Sequence, residues 1–268
     1  MVNLKNFLLI AGPCAIENQE VCDRVAGELV KIQGAHPEIS VVFKASVDKA
    51  NRSTAKSYRG LGIEHGLEIL SSIRNRFNLP ITTDFHAPDQ AKMVGEIVDI
   101  IQIPAFLCRQ TDMLRMAANT GKIVSVKKGQ FLSPWDMRHV VEKLHAFGAQ
   151  DIIQMERGTS FGYGNLVVDM RSFQIMRKNK CPIVYDLTHS LQLPGMGAYE
   201  TGGTLEFADT LAYAAIGAGI DGLFIETHPN PTAALCDRET QLPLATLSHR
   251  VEAYLKLHST AKGLLRPR

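Results

Sequence analysis

No apolar run in this 268-residue chain approaches the ~20 residues of a membrane-spanning helix, which excludes a helical membrane protein. The segment Met1–Asn6 has neither the basic start nor the longer apolar stretch of a secretory leader, so the expected location is the cytoplasm. Cysteine is sparse and patternless. Cys14, Cys22, Cys108, Cys181 and Cys236 are odd in number, widely spaced and contain no C-x-x-C, which argues against a disulfide framework and for a reducing compartment. An excess of one charge sign is also missing. The net charge is +2 and the basic residues are scattered, so nothing suggests a nucleic-acid partner. There is no internal repeat, low-complexity tract or interdomain linker.

What is present is a rhythm. Apolar content of 45% and charged content of 21% suit a globular domain. Eight short apolar runs recur along it: Phe7–Ala11, Val41–Phe43, Pro80–Thr83, Ile100–Ile103, Ile123–Val126, Ile152–Met155, Ile183–Tyr185 and Leu223–Ile225. Helix-like segments separate them. One has Val21, Val25, Leu29 and Ile32 on a single face before Gly34 and Pro37; another spans Arg59 to Arg76. Pro88 is expected in the first turn of the third helix, and Ser133-Pro134 as the cap and first residue of a helix reaching Phe147. A short helix is expected near Ser172 to Lys178. Eight strand–helix units in about 250 residues read as one (β/α)8 barrel domain over residues 1–268.

In such a barrel the active site gathers at the C-terminal ends of the strands. The residues there are Cys14, Lys44 with Lys49, Asp84 with His86, Gln102 with Arg109, Lys127 with Gln130, Glu156 with Arg157, His189, and Glu226 with His228. The Gly195–Gly203 segment, four glycines directly after Pro194, is expected to be a lid. Strands one, seven and eight are neighbours in a closed barrel, so Cys14, His189, Glu226 and Asp237 can surround one point. A thiolate, an imidazole and two carboxylates suit Zn²⁺, Fe²⁺ or Mn²⁺, with Cys236 as a rival ligand. Lys44, Lys49, Arg52, Arg109, Lys127 and Arg157 lie at or just past strand ends, where an unpaired buried cation is costly. Together they imply a ligand carrying several negative charges, most simply phosphate. Lys128, Lys178 and Lys180 read as solvated charges.

The segment Phe43-Lys44-Ala45-Ser46-Val47-Asp48-Lys49-Ala50-Asn51-Arg52-Ser53 resembles the signature of the 3-deoxy-D-manno-octulosonate-8-phosphate synthase family, also called 2-dehydro-3-deoxyphosphooctonate aldolase. So do Gly12-Pro13-Cys14, Asp84-Phe85-His86, Ile103-Pro104-Ala105-Phe106 through Asp112, Val126-Lys127-Lys128, Arg157-Gly158 with Phe161-Gly162-Tyr163, Asp186 to Ser190, and Glu226-Thr227-His228-Pro229. The resemblance spans almost the whole chain. It implies a (β/α)8 homotetramer condensing phosphoenolpyruvate with D-arabinose 5-phosphate and water for lipopolysaccharide biosynthesis. It implies that Lys49, Lys127 and Arg157 hold phosphoenolpyruvate and that Lys44 lies near its reacting end. Asn51, Arg52 and Ser53 would face the sugar phosphate, and Arg109 would reach that of a neighbouring subunit. Gln102 and Gln130 complete the expected substrate set. Lys44, Asp84, His86 and His189 are the expected catalytic residues. Cys14 stands where the metal-independent form has asparagine, which marks the metal-dependent form. One departure is visible: Thr204-Leu205 follows Gly202-Gly203, where relatives commonly have arginine.

Three other readings stay open on sequence. The sister enzyme uses erythrose 4-phosphate but usually has Lys-Pro-Arg-Thr where this chain has Lys49-Ala50-Asn51-Arg52-Ser53. A Schiff-base aldolase would use Lys44 or Lys127 as nucleophile. A sugar-phosphate-binding barrel without catalysis would share the same lining.

Overall fold

The computed structural model describes residues 2–52, 54–195 and 202–264. Eight parallel strands form one closed sheet: β1 (Phe7–Gly12), β2 (Ile39–Lys44), β3 (Ile81–Asp84), β4 (Ile100–Ile103), β5 (Ile123–Lys127), β6 (Ile152–Glu156), β7 (Ile183–Asp186) and β8 (Gly222–His228). Each pairs with the next, and β8 pairs back onto β1 with Gly12 opposite Glu226. Helices α1 (Gln19–Ala35), α2 (Ile63–Phe77), α3 (Gln90–Ile97), α4 (Thr111–Ala118), α5 (Met137–Ala146), α6 (Arg171–Arg177), α7 (Ala208–Gly217) and α8 (Leu244–Leu264) follow the strands in turn. This is the (β/α)8 barrel that the repeating pattern predicts.

The strands form because Ile-, Val- and Leu-rich runs are buried on both faces, as parallel strands require. Their period of two then divides the chain into layers. Phe7, Leu9, Ala11, Val41 and Phe43 face the helices in the larger core. Leu8, Ile10, Val42, Ile100, Ile153, Met155, Val184 and Phe224 fill the barrel. Continuing the inward parity past this apolar plug reaches Lys44, Asp84, Gln102, Lys127, Asp186 and Glu226, all buried. Most strands run one or more residues beyond the apolar run, and those extra residues carry the chemistry.

Several expected boundaries shift. Gly60, with φ of 122°, and the Arg59–Asp48 ion pair keep that stretch out of helix, so α2 starts at Ile63 and not Arg59. Ser133 does not cap a helix: its hydroxyl bonds the Asp136 carboxylate at 3.1 Å across a turn, and α5 begins at Met137. Pro88 precedes α3, whose first residue Gln90 accepts the His86 and Ala87 amides. The glycine-rich stretch after β6 holds a small hairpin pairing Thr159–Ser160 with Leu166–Val167. Of the expected lid, residues 196–201 lie outside the described residues; its base is a two-residue ladder of Gln192–Leu193 with Gly202–Gly203.

Gly12 marks where β1 must approach β2 most closely. A Cβ there would lie 1.8 Å from the Lys44 carbonyl oxygen, a backbone atom that cannot yield without moving the end of β2. Gly12→Ala is therefore expected to destabilise the barrel by about 3 kcal/mol, read as a lower urea midpoint at unchanged slope. An unchanged midpoint would mean the strand ends are looser than this packing.

Candidate active site

The mouth of the barrel is a cavity lined by Lys44, Lys49, Asn51, Arg52, Asp84, His86, Gln102, Lys127, Gln130, Arg157, His189 and Asp237. Most of the predicted site residues thus line it, and Cys14 and Glu226 lie fully buried beside Asp237; two others do not join them. Ser53 lies outside the described residues. Arg109 does not line the mouth; it is exposed and borders a separate outer pocket with Leu114, Asp136, His139 and Lys143. Its position one helical turn beyond the end of β4, past the Ala105–Leu107 turn, carries it to the rim.

Glu226 is the centre of the charge network. One oxygen accepts from Lys44 Nζ at 2.5 Å and lies 3.8 Å from Lys49 Nζ and 3.5 Å from His189 Nε2. Burial alone would raise its pKa, but His189, Lys44, Lys49 and Lys127 hold it well below the usual carboxylate range. Lys44 also donates to the Cys14 carbonyl at 2.9 Å, tying β2 to the loop after β1. Lys127 donates to Asp186 at 2.5 Å and sits 3.7 Å from the centre of the Phe224 ring, a cation–π contact at the floor of the mouth. Burial pulls the Lys127 pKa down, with Asp186 opposing it.

The metal candidates also meet. Ligand atoms of Cys14, Glu226 and Asp237 all lie within 4.8 Å of one another. His189 Nε2 lies 3.9 Å from an Asp237 oxygen, so the imidazole edges onto the same point. The second Glu226 oxygen is buried with no hydrogen-bond partner. A buried acceptor without a donor, beside a thiol, an imidazole and a second carboxylate, fits a divalent cation. Burial first, then hydrogen bonding to Cys236 and the charges of Asp237 and Glu226, push the Cys14 thiol well up, so a cation must displace its proton. Cys236, the expected rival, instead sits beside Cys14 as this hydrogen-bonding neighbour.

On the opposite wall Asp84 and His86 pair at 3.3 Å. Burial opposes both charges, yet His86, Lys49 and Lys44 hold the Asp84 carboxyl well below its normal range, and Asp84 raises His86. Asp84 Oδ1 and His86 Nδ1 are buried without partners. Each can therefore meet a ligand.

Three residues take places that the sequence reading did not give them. Asp186 accepts from the His189 ring at 2.9 Å and its backbone N–H at 3.1 Å, fixing the imidazole with Nε2 toward the metal candidates. Its signal was the inward parity from Val184. Lys128 is not a solvated charge but fully buried, 3.3 Å from Glu156, and it donates to the Leu132 carbonyl and the Thr159 hydroxyl. Its parity is opposite to that of Lys127, so it binds the loops after β5 and β6 together and stays out of the mouth. Gln192 links Arg157 to Asp237, and no sequence signal marked it. Lys178 and Lys180 are exposed, as expected.

With this geometry established, comparison with known proteins is decisive. The sequence profile described as "DAHP synthetase I family" matches residues 3–262. The chain belongs to the DAHP synthetase I family. Within this family it is 48% identical over 255 residues to a protein of Syntrophotalea carbinolica, covering 95% of this chain and 92% of the relative. It is 51% identical over 241 residues to one from Trichlorobacter lovleyi, covering 90% and 88%. It is 48% identical over 255 residues to one from Francisella tularensis subsp. holarctica, covering 95% and 91%. All three relatives bear the name 2-dehydro-3-deoxyphosphooctonate aldolase.

Two outcomes follow from the geometry. Asp186→Asn removes the acceptor that orients His189 and is expected to weaken divalent-metal binding about 10- to 100-fold, measured by competition with a chelating dye; unchanged affinity would remove His189 from the ligand set. His86 has a raised folded pKa, so its ionic stabilisation is complete below its unfolded value of about 6.5 and is lost as pH rises through the folded pKa. The stability gap between the wild type and His86→Asn should therefore be widest below about pH 6.5 and narrow as pH rises through the raised folded value, read in urea titrations.

Proposed function

We propose that this barrel condenses phosphoenolpyruvate with D-arabinose 5-phosphate and water, giving 3-deoxy-D-manno-octulosonate 8-phosphate and inorganic phosphate for lipopolysaccharide biosynthesis. The observation that carries the reading is the mouth itself. Lys44, Lys49, Arg52, Lys127 and Arg157 face Asp84, Asp186, Glu226 and Asp237, one carboxylate fewer, in a cavity whose arginines keep buried donors free. That surplus suits anionic substrates, and the relatives' shared name identifies the reaction. The whole chain, residues 1–268, is read as one catalytic domain.

In this reading Lys49, Lys127 and Arg157 hold phosphoenolpyruvate, with Gln102 and Gln130 as further polar contacts and Lys44 near the enol end. Asn51, Arg52 and Ser53 receive the sugar. The enol carbon of phosphoenolpyruvate bonds to the aldehyde carbon, water adds to the carbon bearing phosphate, and the C–O bond to phosphate breaks. The water gives up two protons: one goes to the aldehyde oxygen, and the other leaves as the new hydroxyl closes to the keto carbonyl and passes to the departing phosphate. His86, with its raised pKa, can supply a proton from the wall it shares with Asp84, and the ionised Asp84 can orient the water by accepting a hydrogen bond from it. Holding both substrates in register removes much of the entropic barrier. Cys14, His189, Glu226 and Asp237 would hold a divalent metal, Zn²⁺, Fe²⁺ or Mn²⁺, which when bound polarises or orients an oxygen ligand.

Arg109 serves a neighbouring subunit in a homotetramer. Its exclusion from its own mouth supports this, as do the exposed rings of Phe106, Phe131, Trp135, Phe161 and Tyr163 on the adjoining loops. The Ser160–Gln130 backbone bond joins two of those loops into one surface. The five cysteines are free and buried, which supports a cytoplasmic location; no described helix is long and apolar enough to cross a membrane.

The test is loss of phosphoenolpyruvate absorbance with arabinose 5-phosphate or erythrose 4-phosphate, before and after chelation. Turnover with the first sugar, lost on chelation, restored by a divalent metal and leaving no borohydride-trapped adduct, is expected. Turnover with erythrose 4-phosphate alone would move the chain to the sister reaction, and a trapped adduct would point to a Schiff base on Lys44 or Lys127. The oligomer claim has its own outcome. Arg109→Ala is expected to raise the sugar KM about 10-fold or more. Mixed with inactive Arg157→Ala subunits and reassembled, it should regain activity in the hybrids; no regain would mean that Arg109 does not serve a neighbouring subunit.

A further inference from the structure

We propose that Gln192 is a positioning residue that couples metal binding to phosphoenolpyruvate binding. The inference rests on the function proposed above. The Gln192 side-chain oxygen accepts from Arg157 Nη2 at 2.6 Å, and its nitrogen donates to Asp237 Oδ2 at 3.0 Å. The other Asp237 oxygen accepts from Arg52 Nη1 at 3.4 Å. A continuous chain, Arg157–Gln192–Asp237–Arg52, therefore crosses the mouth. It runs from the cation assigned to phosphoenolpyruvate, through a metal-ligand candidate, to the cation assigned to the sugar phosphate.

The chemistry of the link is specific to an amide. Its two ends have opposite hydrogen-bond character, an acceptor toward the guanidinium and a donor toward the carboxylate. A carboxylate at this position would keep the bond to Arg157 but face Asp237 with a like charge. An ammonium would do the reverse.

The backbone holds this link in place. Gln192 pairs with Gly203 at the base of the glycine-rich loop. Gly203 in turn packs so closely on the segment after Asp237 that a Cβ would lie 2.5 Å from Thr240 Cγ2 and 2.8 Å from the Glu239 carbonyl oxygen. The backbones carrying Gln192 and Asp237 are thus locked side by side. Arg157 Nη1 is buried with no partner and remains free for an anion.

A metal that fixes the Asp237 carboxylate fixes the amide, and the amide fixes Arg157 in the pose that receives an anion. The ordering of Arg157 is then complete before phosphoenolpyruvate arrives, so each ligand tightens the other by the same factor.

The experiment uses the full chain, stripped of metal, with Mn²⁺ and phosphoenolpyruvate as probes. Mn²⁺ affinity is measured by competition with a chromogenic chelator, with and without phosphoenolpyruvate. Phosphoenolpyruvate affinity is measured by calorimetry with and without Mn²⁺. The wild type is expected to show reciprocal tightening of about tenfold. Gln192→Met removes both ends of the link and should bring that factor close to one. Gln192→Glu keeps the Arg157 end alone and should lose the coupling equally, which guards against a folding defect peculiar to one variant. Coupling that survives in either folded variant overturns the inference, as does a wild type that binds both probes independently; neither result touches the proposed reaction. A wild type that binds neither probe overturns the proposed reaction and this inference together.

Discussion

The site depends on a carboxylate buried among cations. Glu226 has no exposure to solvent, and Lys44 and Lys49 beside it hold it ionised, with His189 Nε2 3.5 Å away. Each of those groups in turn needs Glu226. Removing one partner of such a cluster leaves an uncompensated charge in a low-dielectric interior, at a typical cost of about 3–5 kcal/mol. The arrangement therefore behaves as a unit. It spans β2, β8 and the turn after β7, so closure of the barrel and assembly of the site are one event.

The same dependence explains why the charged layer sits where it does. The inward parity of the strands first stacks Leu8, Ile10, Val42, Ile100, Ile153, Val184 and Phe224 into an apolar plug. The next inward positions are ionisable, and the plug denies them water from below. Phe224 forms the boundary between the two layers, with Lys127 and Lys44 over its ring. Cations held this way keep little mobility and face a cavity with donors to spare, which is the preorganisation that anionic substrates require.

Much of this was legible in the sequence. The eight apolar runs gave the barrel, and the residues after them gave most of the mouth, because a parallel strand places its final inward residue at the rim by geometry alone. Side chains that act through a neighbour were not legible. Asp186 looked like part of a motif until its two bonds to His189 appeared. Lys128 looked like a surface charge because the pairing with Glu156 comes from the adjacent strand. Gln192 follows a one-turn helix whose exit direction no periodicity encodes. The distance of Arg109 from β4 in sequence does not show that the turn after the strand carries it away from the mouth of its own chain.

The central claim is that the mouth brings two anionic substrates together so that water attacks carbon and phosphate leaves with its bridging oxygen. A single turnover of phosphoenolpyruvate and arabinose 5-phosphate in ¹⁸O-labelled water, followed by mass spectrometry of the released phosphate, tests it directly. Unlabelled phosphate is the predicted result. Phosphate carrying solvent oxygen would mean that water attacks phosphorus, and the roles assigned to Asp84, His86 and the metal residues would have to be abandoned.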